Sequence, residues 1–196
     1  RHGDVAVVSF HATKVFNTFE GGLLVCRSAD MKQRVDQLKN FGFVDETSVV
    51  EPGINGKMSE FNAMLGIHQL KHMPEILEAR GQRDRLYRQL LKHVAGIQCQ
   101  RPIRQAQRNY AYFPIFVQDN FPLSRDELYL LLQENDIYGR RYFYPLISEF
   151  PMYADIPSSD NLELAVAFKA SRQVICLPLY PDLPMESIEA ICGHIA

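Results

Sequence analysis

Near the start of the chain, apolar residues fall into short continuous runs separated by polar residues. Runs of this kind predict buried strands at residues 4–10 and 23–26, with a glycine-containing turn at 20–22 between them. Residues 31–40 have the spacing of a short amphipathic helix. Residues 41–57 contain several glycines and a proline. They therefore predict a long loop, a kind of segment that is often functional.

The middle of the chain predicts two successive helices. Ser59 is well placed to cap a helix whose apolar residues recur about every 3.6 positions as far as Leu70. Pro74 would then begin a second, long helix, because proline suits the first helical position and is costly further inside. A solvated, charged face is predicted on this second helix. Its members are Arg80, Arg83, Arg85 and Arg88, beside Glu75 and Glu78.

The remaining residues alternate between strand and helix patterns, which predicts a small α/β layer. Pro114 lacks a backbone N–H, so the strand that contains it is expected at a sheet edge or bulge. Strands are predicted at 111–117, 137–144 and 174–177, and helices at 124–134, 161–172 and 185–195. The chain thus divides into residues 1–73, a connecting long helix at 74–95, and a C-terminal α/β domain at 96–196.

Composition narrows the possible functions. The 21 Lys and Arg residues against 23 Asp and Glu residues give a net charge of −2, which does not favour nucleic acid or an anionic membrane as a partner. The four cysteines lack metal-ligand spacing, so we expect no metal site and free buried thiols in a reducing cytoplasm. The chain begins at Arg1 and enters a predicted strand almost at once, which we interpret as the start of a fragment.

Lys14 is the first candidate for chemistry. It follows one apolar run and precedes a second that closes with two glycines, a place where a cation is costly unless something uses or neutralises it. A lysine partly removed from water loses its proton more readily and can attack carbonyls. Spacing alone, however, favours an ordinary surface lysine. Ser9 at a strand end can donate to a phosphate oxygen or bond to backbone, and His11 between them is more often structural.

Two further segments are candidates for ligand binding. Gly53 and Gly56 around Asn55 allow the backbone to approach a ligand closely, although Asn55 is also typical of a turn. Arginines beside aromatic residues can bind phosphates and stack on bases. This second pattern is formed by Arg141, Tyr142, Phe143 and Tyr144. A solvated strand edge with core aromatics and an RNA-binding patch are alternatives, and the overall charge argues against RNA.

Together, residues 7–22, 51–66, 139–146 and 174–181 resemble the DegT/DnrJ/EryC1/StrS family of sugar aminotransferases, which use pyridoxal 5′-phosphate (PLP). The resemblance covers essentially the whole chain, but only about the C-terminal half of a family member. It implies an α/β fold of the aspartate-aminotransferase type (fold type I). Residues 1–73 would end the cofactor-binding large domain, and residues 96–196 would form the small domain.

The resemblance also implies roles for individual residues. Lys14 would hold PLP covalently, Ser9 would bind its phosphate, and Asn55 would reach across a homodimer interface to the partner's cofactor phosphate. Lys57 stands where the family more often has arginine, so a cation is kept without the planar fork. Substrate contacts are expected from His11, Lys57, Arg141, Tyr142, Phe143 and Tyr144.

The implied activity is transfer of an amino group from glutamate to a dTDP-linked keto-6-deoxyhexose, in the biosynthesis of deoxyaminosugars for surface polysaccharides such as lipopolysaccharide. A PLP enzyme also needs a carboxylate on the pyridine nitrogen and an aromatic residue on the ring. In the family both lie upstream of the segment present here, so we expect this chain alone to be inactive. The alternatives are a PLP-free α/β interaction domain and an inactive truncated homologue.

Overall fold

The computed structural model describes residues 3–102, 106–153, 155–156 and 163–196. The chain forms two compact units, Arg1–Pro74 (unit 1) and Glu75–Ala196 (unit 2). The boundary between them falls inside a long helix, so each unit is described by itself.

Unit 1 begins with an antiparallel hairpin of strands β1 (Val5–Ser9) and β2 (Gly22–Cys26), in which Ser9 pairs with Gly22. Helix α1 (Ala29–Leu38) follows and is capped by Ser28, whose hydroxyl accepts a hydrogen bond from the Met31 N–H. These elements confirm the predicted strands and helix, and residues 41–57 form the predicted loop. The prediction that both strands are buried is wrong, because no described residue covers them and Val7 is 77% exposed.

Helix α2 (Glu60–Leu91) runs without interruption through Pro74, so the prediction of two helices is wrong. Its start is as predicted, since the Ser59 hydroxyl accepts a hydrogen bond from the Asn62 N–H at 3.2 Å. A proline removes a single backbone donor from a helix. Anchoring contacts on both sides of Pro74, at Asn62 in unit 1 and at buried Tyr87 in unit 2, keep the helix continuous.

The arginines of α2 are not a uniformly solvated face, which corrects the sequence prediction. Arg80 donates to the carbonyls of Tyr110 and Leu179, and Arg83 donates to that of Leu183. Their planar forks satisfy loop carbonyls that would otherwise lack donors. Only Arg85 matches the prediction, as it is exposed and paired with Glu78.

Unit 2 contains a three-stranded antiparallel sheet in the order β3-β4-β5. The strands are β3 (Ile97–Cys99), β4 (Phe113–Val117) and β5 (Val174–Leu177), and the helices are α3 (Arg125–Glu134), α4 (Ala165–Gln173) and α5 (Met185–Ile195). Strand β5, α3 and α5 are as predicted, whereas the predicted start of α4 at residue 161 lies outside the described residues. Strand β3 and a short 3₁₀ turn at Ile147–Glu149 were not predicted. The largest core side chains are Tyr87, Leu91, Phe113, Ile115, Leu128, Leu132, Ile175 and Ile188.

Two predictions about this sheet are wrong. Strand β4 is central rather than at an edge, although it contains Pro114. The Pro114 carbonyl accepts from the Gln100 N–H, so its missing N–H faces a position just beyond the end of β3, where the ladder has already stopped. Residues 137–144 form no strand, and only Arg140 pairs with β5, through two hydrogen bonds to Cys176.

Candidate active site

Lys14 lies in a compact loop of residues 10–21 (the lysine loop) that joins β1 to β2. The loop is closed at its base by hydrogen bonds from the Phe10 N–H to the Gly21 carbonyl and from the Thr18 N–H to the Phe10 carbonyl, each 2.9 Å long. Gly21 has a φ of +152°, and a Cβ added there would lie 2.5 Å from the Thr18 hydroxyl oxygen. The hairpin and this closure together fix where Lys14 leaves the backbone.

The start of α2 anchors the lysine loop. The Asn62 side-chain amide donates to the carbonyls of Thr18 at 2.6 Å and Glu20 at 2.9 Å. Thr18 is buried against Gly66, where an added Cβ would lie 2.9 Å from the Thr18 methyl carbon. Asn62 and Gly66 were missed in the sequence, because helical periodicity does not indicate which polar positions contact a distant loop.

The Lys14 side chain is exposed, and its ammonium makes no hydrogen bond or ion pair with any described residue. No described residue covers Nζ, as expected of the ordinary surface lysine that spacing alone favours. The amine is accessible and has no competing partner among the described residues. It projects from a loop whose backbone is fixed at both ends.

Ser9 and His11 are joined by their own hydrogen bonds. The Ser9 Oγ accepts from the His11 N–H at 3.3 Å, which leaves its hydroxyl proton available for another acceptor. The His11 Nδ1 accepts from the Thr13 N–H at 3.2 Å, and its Nε2 lies 3.7 Å from a Glu20 carboxylate oxygen. The loop thus brings Ser9, His11 and Lys14 together on a short stretch of ordered backbone.

The segment around Asn55 packs against the end of α1. The N–H groups of Ile54 and Gly56 each donate at 2.8 Å, to the carbonyls of Leu38 and Lys39 at the helix end. These carbonyls lack partners within the helix itself. A Cβ on Gly53 would collide with backbone atoms of Gly42 and Leu38. Gly53 is therefore required by packing of the chain on itself, which corrects the expectation that it admits a ligand.

The side chains of Asn55 and Lys57 differ in whether they contact other described residues. Asn55 is exposed, and only its backbone pairs, with Asn40. The Lys57 ammonium donates to the Asn40 side-chain oxygen at 3.0 Å and lies 4.5 Å from the centre of the Phe41 ring. A cation over an aromatic face is moderately stabilised. Lys57 thus helps to order its own loop, and Asn55 presents a side chain without a partner among the described residues.

In unit 2, two of the four predicted substrate residues pack against α3. Arg141 donates to Asp126 at 2.8 Å, and its guanidinium lies 4.5 Å from the centre of the Tyr129 ring. Partial burial is the largest single effect and raises the pKa of Asp126, but the hydrogen bonds and charges of Arg141 and Arg125 together outweigh it, so the pKa is lowered. The Tyr144 ring lies 4.7 Å from the buried guanidinium of Arg125.

The other two residues line a groove of about 510 Å³ in unit 2 (the aromatic groove). Tyr142 and Phe143 stack with ring centres 4.7 Å apart, and Tyr112 meets Tyr142 edge-on at 5.4 Å. The described lining includes Arg101, Arg108, Tyr110, Tyr112, Tyr142 and Phe143. Tyr112 and Arg108 were missed in the sequence, because the groove is assembled from segments far apart along the chain.

A model of the DegT/DnrJ/EryC1/StrS aminotransferase family matches residues 1–196. The chain belongs to this family. A dTDP-4-amino-4,6-dideoxy-D-glucose transaminase of Shigella dysenteriae is 47% identical over 195 residues, which are 100% of this chain and 53% of that protein. A transaminase of the same name from Escherichia coli is 47% identical over 88% of this chain and 47% of its own length. The chain thus spans about half the length of these DegT-family relatives.

Among solved structures, DesI in the presence of its TDP-sugar product superposes with a TM-score of 0.89 at 29% identity, over 98% of this chain and 48% of DesI. This match confirms the predicted fold-type I PLP-transferase fold. In the part of the chain that the structure describes, no helix is long and apolar enough to cross a membrane. The same residues contain no cluster of side chains suited to a metal ion.

DegT-family aminotransferases use PLP, and the donors of the lysine loop fit two ends of that cofactor. An accessible amine at Lys14 suits the aldehyde, and the free hydroxyl proton of Ser9 suits a phosphate oxygen. Asn55 adds an exposed amide donor on another segment of unit 1. This donor set is consistent with the family cofactor, since each group carries the chemistry that one end of PLP requires.

Proposed function

We propose that this chain is the C-terminal part of a PLP-dependent aminotransferase that acts on a dTDP-linked keto-6-deoxyhexose with glutamate as amino donor. The observation that carries the proposal is the accessible Lys14 amine on a fixed loop beside Ser9. Family membership and relatives that are 47% identical support it. This reaction would be a step in the biosynthesis of deoxyaminosugars for surface polysaccharides.

When bound, PLP supplies an electron sink that acidifies the carbon bearing the amino group. Lys14 Nζ would hold the cofactor, and once released it would carry a proton at Nζ as base and then as acid. The Ser9 hydroxyl would donate to the cofactor phosphate, and His11 would orient Ser9 through its backbone N–H. Each of these roles requires the lysine loop to keep its geometry.

The substrate nucleotide would occupy the aromatic groove. Tyr142 and Phe143 line it directly. Arg141 and Tyr144 would act less directly, by fixing the same segment to α3 through Asp126 and Arg125. In unit 2, this arrangement refines the four substrate contacts expected there into two that would meet the ligand and two that would support them.

A homodimer with shared sites would explain the exposed side of unit 1. Asn55 has no side-chain partner among the described residues, and Lys57 stands close to it in the chain. An apolar stripe on α2 is also uncovered, with Phe61 63%, Met64 61%, Ile67 62% and Leu70 59% exposed. Exposed apolar surface of this kind is typical of protein interfaces. We therefore place Asn55 beside the cofactor of a partner subunit and Lys57 near its substrate.

Reduction with borohydride in the full-length protein that contains this chain tests the proposal. Peptide mapping should place a single pyridoxyl label on Lys14, and Lys14→Ala should abolish both label and turnover. Lys57→Ala serves as the matched control and should keep the label. A pyridoxyl label on Lys57 would overturn the assignment, and so would an active protein that carries no label.

A further inference from the structure

A second cleft in unit 2, of about 630 Å³, is lined by the segment that follows β4 and by the second half of α4 (the α4 cleft). Its volume lies within the range of small-molecule sites, roughly 300–1,000 Å³. None of its described lining residues belongs to the lysine loop or to the aromatic groove. The α4 cleft is therefore separate from both parts of the candidate active site.

Both walls of the α4 cleft are held in place. After β4, the Phe121 N–H donates to the Gln118 carbonyl at 2.9 Å and closes a turn. This turn packs directly on Gly96, where an added Cβ would lie 2.6 Å from the Phe121 Cα. On the other side Arg125, which is 5% exposed, donates to the Ser171 carbonyl of α4 at 2.9 Å. Walls that are already ordered have little freedom to lose on binding, which favours affinity.

The two walls carry charges of opposite sign that do not meet. Lys169 and Arg172 lie one turn apart on α4, and Asp119 lies on the turn that forms the other wall. None of these three side chains forms an ion pair with any described residue. Arg125 differs, since its Nε lies 2.8 Å from an Asp126 oxygen. The cleft thus presents two unpaired positive charges and one unpaired negative charge.

The chemistry of these groups suits carboxylates and an amine. The Arg172 guanidinium lies 4.1 Å from the centre of the Phe168 ring, where a cation is stabilised by the aromatic face. Its planar fork makes no hydrogen bond to the described residues and can bind a carboxylate through two N–H groups. Lys169 is a second, more compact cation, and Asp119 can accept from an ammonium group. Phe121 adds apolar surface for a carbon chain.

We propose that the α4 cleft binds an acidic α-amino acid. The two carboxylates of this ligand pair with Arg172 and Lys169, and its ammonium pairs with Asp119, so each charge of the ligand meets one of opposite sign. The remaining volume holds bridging water. A phosphate ester fits less well, because Asp119 would face a polyanion. The site does not depend on the reaction proposed for Lys14.

Calorimetric titration of the full-length protein that contains this chain, after reduction with borohydride, tests the site. Reduction fixes any cofactor on Lys14, so an added amino acid cannot react there. Glutamate should bind at one site per chain. It should bind about tenfold more tightly than glutamine, which lacks one carboxylate, and than glutarate, which lacks the ammonium group. Inorganic phosphate should not displace it.

Variants at the three charged positions separate pairing from overall charge. All three side chains are exposed, so their substitution leaves the fold intact. Arg172→Gln and Lys169→Gln should each weaken glutamate about tenfold. Asp119→Asn makes the protein more positive, which alone would strengthen every anion. Pairing with the ammonium instead predicts weaker glutamate and stronger glutarate. Lys92→Gln, an exposed position of unit 2 outside the cleft, is the control and should change neither affinity.

Absence of glutamate binding, or glutamate binding that Arg172→Gln leaves unchanged, would overturn the site. Asp119→Asn that strengthens glutamate and glutarate alike would show attraction by overall charge and would overturn the amino-acid assignment, as would displacement of glutamate by phosphate. A pyridoxyl label on Lys14 in the same protein would still support the proposed aminotransferase function in each of these cases, so failure of the site is distinguishable from failure of that function.

Discussion

Tyr87 shows how one polar atom is accommodated in the core of unit 2. Its ring stacks on Phe113 with centres 4.7 Å apart, and its hydroxyl donates to the Pro178 carbonyl at 2.9 Å. Burial, more than any neighbouring group, raises the pKa of the hydroxyl. The group therefore stays a neutral donor that ties α2 to the residues after β5.

We predict that Tyr87→Phe lowers the free energy of unfolding by about 1 kcal/mol, because it leaves the Pro178 carbonyl without its donor. Urea denaturation followed by circular dichroism measures the change. Tyr138→Phe is the control, since Tyr138 is 65% exposed and should shift the midpoint little. Equal effects of the two substitutions would contradict this account of the hydroxyl.

Two buried thiols predict a loss of stability at alkaline pH. Burial raises the pKa of Cys176 to about 11, although a backbone contact from Tyr142 opposes it, and raises that of Cys192 to about 12. The unfolded thiols ionise near the ordinary value of 9.0. Between pH 9 and the folded values only the unfolded state gives up its protons, so stability is complete below pH 9 and falls above it.

Unfolding in urea at pH 8 and at pH 10 measures this effect. The decrease between the two should be smaller in Cys192→Ala than in the unsubstituted chain, by roughly 1 kcal/mol, since each pKa unit is worth about 1.4 kcal/mol. Cys26→Ala, at a half-buried position in the hairpin, is the control. An unchanged pH dependence in Cys192→Ala would contradict the assignment of the effect to this thiol.

Single residues also show what the sequence reveals about the candidate site. The order of residues around Lys14 and Ser9 carries the family resemblance that implies their roles, whereas their spacing alone favours an ordinary surface lysine and a serine bonded to backbone. Burial was not predictable there, since it depends on surfaces far along the chain. Tyr112 and Arg108 gave no local pattern, because the groove that they line together with Tyr142 is created only by the fold of unit 2.

At the scale of elements, hydrogen bonds from α2 hold the lysine loop. We predict that Asn62→Ala increases amide hydrogen exchange at Thr18 and Phe10, because the carbonyls of Thr18 and Glu20 lose their common donor. The cost should be about 1 kcal/mol, typical of a lost hydrogen bond, because the Glu20 N–H still donates to the Thr18 carbonyl and the Thr18 hydroxyl to the Glu20 carbonyl. Asn135→Ala, which removes one exposed hydrogen bond at the end of α3, should leave those amides unchanged.

Elements with local determinants were predicted well. Ser124 and Glu127 form a capping box that starts α3, and the strand predicted at 174–177 is β5, whose four residues are all buried. Elements that depend on tertiary context were not predicted well. Pro114 is tolerated in a central strand only because β3 ends where its N–H would be needed. Pro74 does not end α2, because contacts on each side outweigh one lost bond.

For the whole molecule, the exposure of Lys14 predicts that the 196-residue chain does not hold PLP stably. A covalent link from an exposed amine to an aldehyde is readily reversed by water, and a dry, charge-matched pocket normally protects it. Titration followed by absorbance should show no saturable band at micromolar cofactor. A saturable band that Lys14→Ala removes would contradict the prediction and show that this chain suffices.

A site shared between subunits predicts complementation in the full-length protein. Lys14→Ala and Asn55→Ala should each be inactive alone, but a mixture that exchanges subunits should regain part of the activity. Some heterodimers would then contain one site with both original residues. A mixture of Lys14→Ala with the double variant Lys14→Ala/Asn55→Ala is the control, because no subunit in it carries the lysine and no intact site can form. Absence of recovery under exchange would exclude a shared site.

The two hydrogen bonds that close the lysine loop limit how this sequence can change during evolution. The Phe10–Gly21 and Phe10–Thr18 hydrogen bonds fix the length of the connection between β1 and β2. Ser9 also pairs with Gly22 in a fixed register. One inserted or deleted residue would turn the serine to the opposite face of the hairpin or displace the lysine. Residues 44–48, an exposed excursion of the neighbouring loop, carry no such constraint. We therefore expect insertions and deletions among homologues to occur at residues 44–48 and not within residues 9–22.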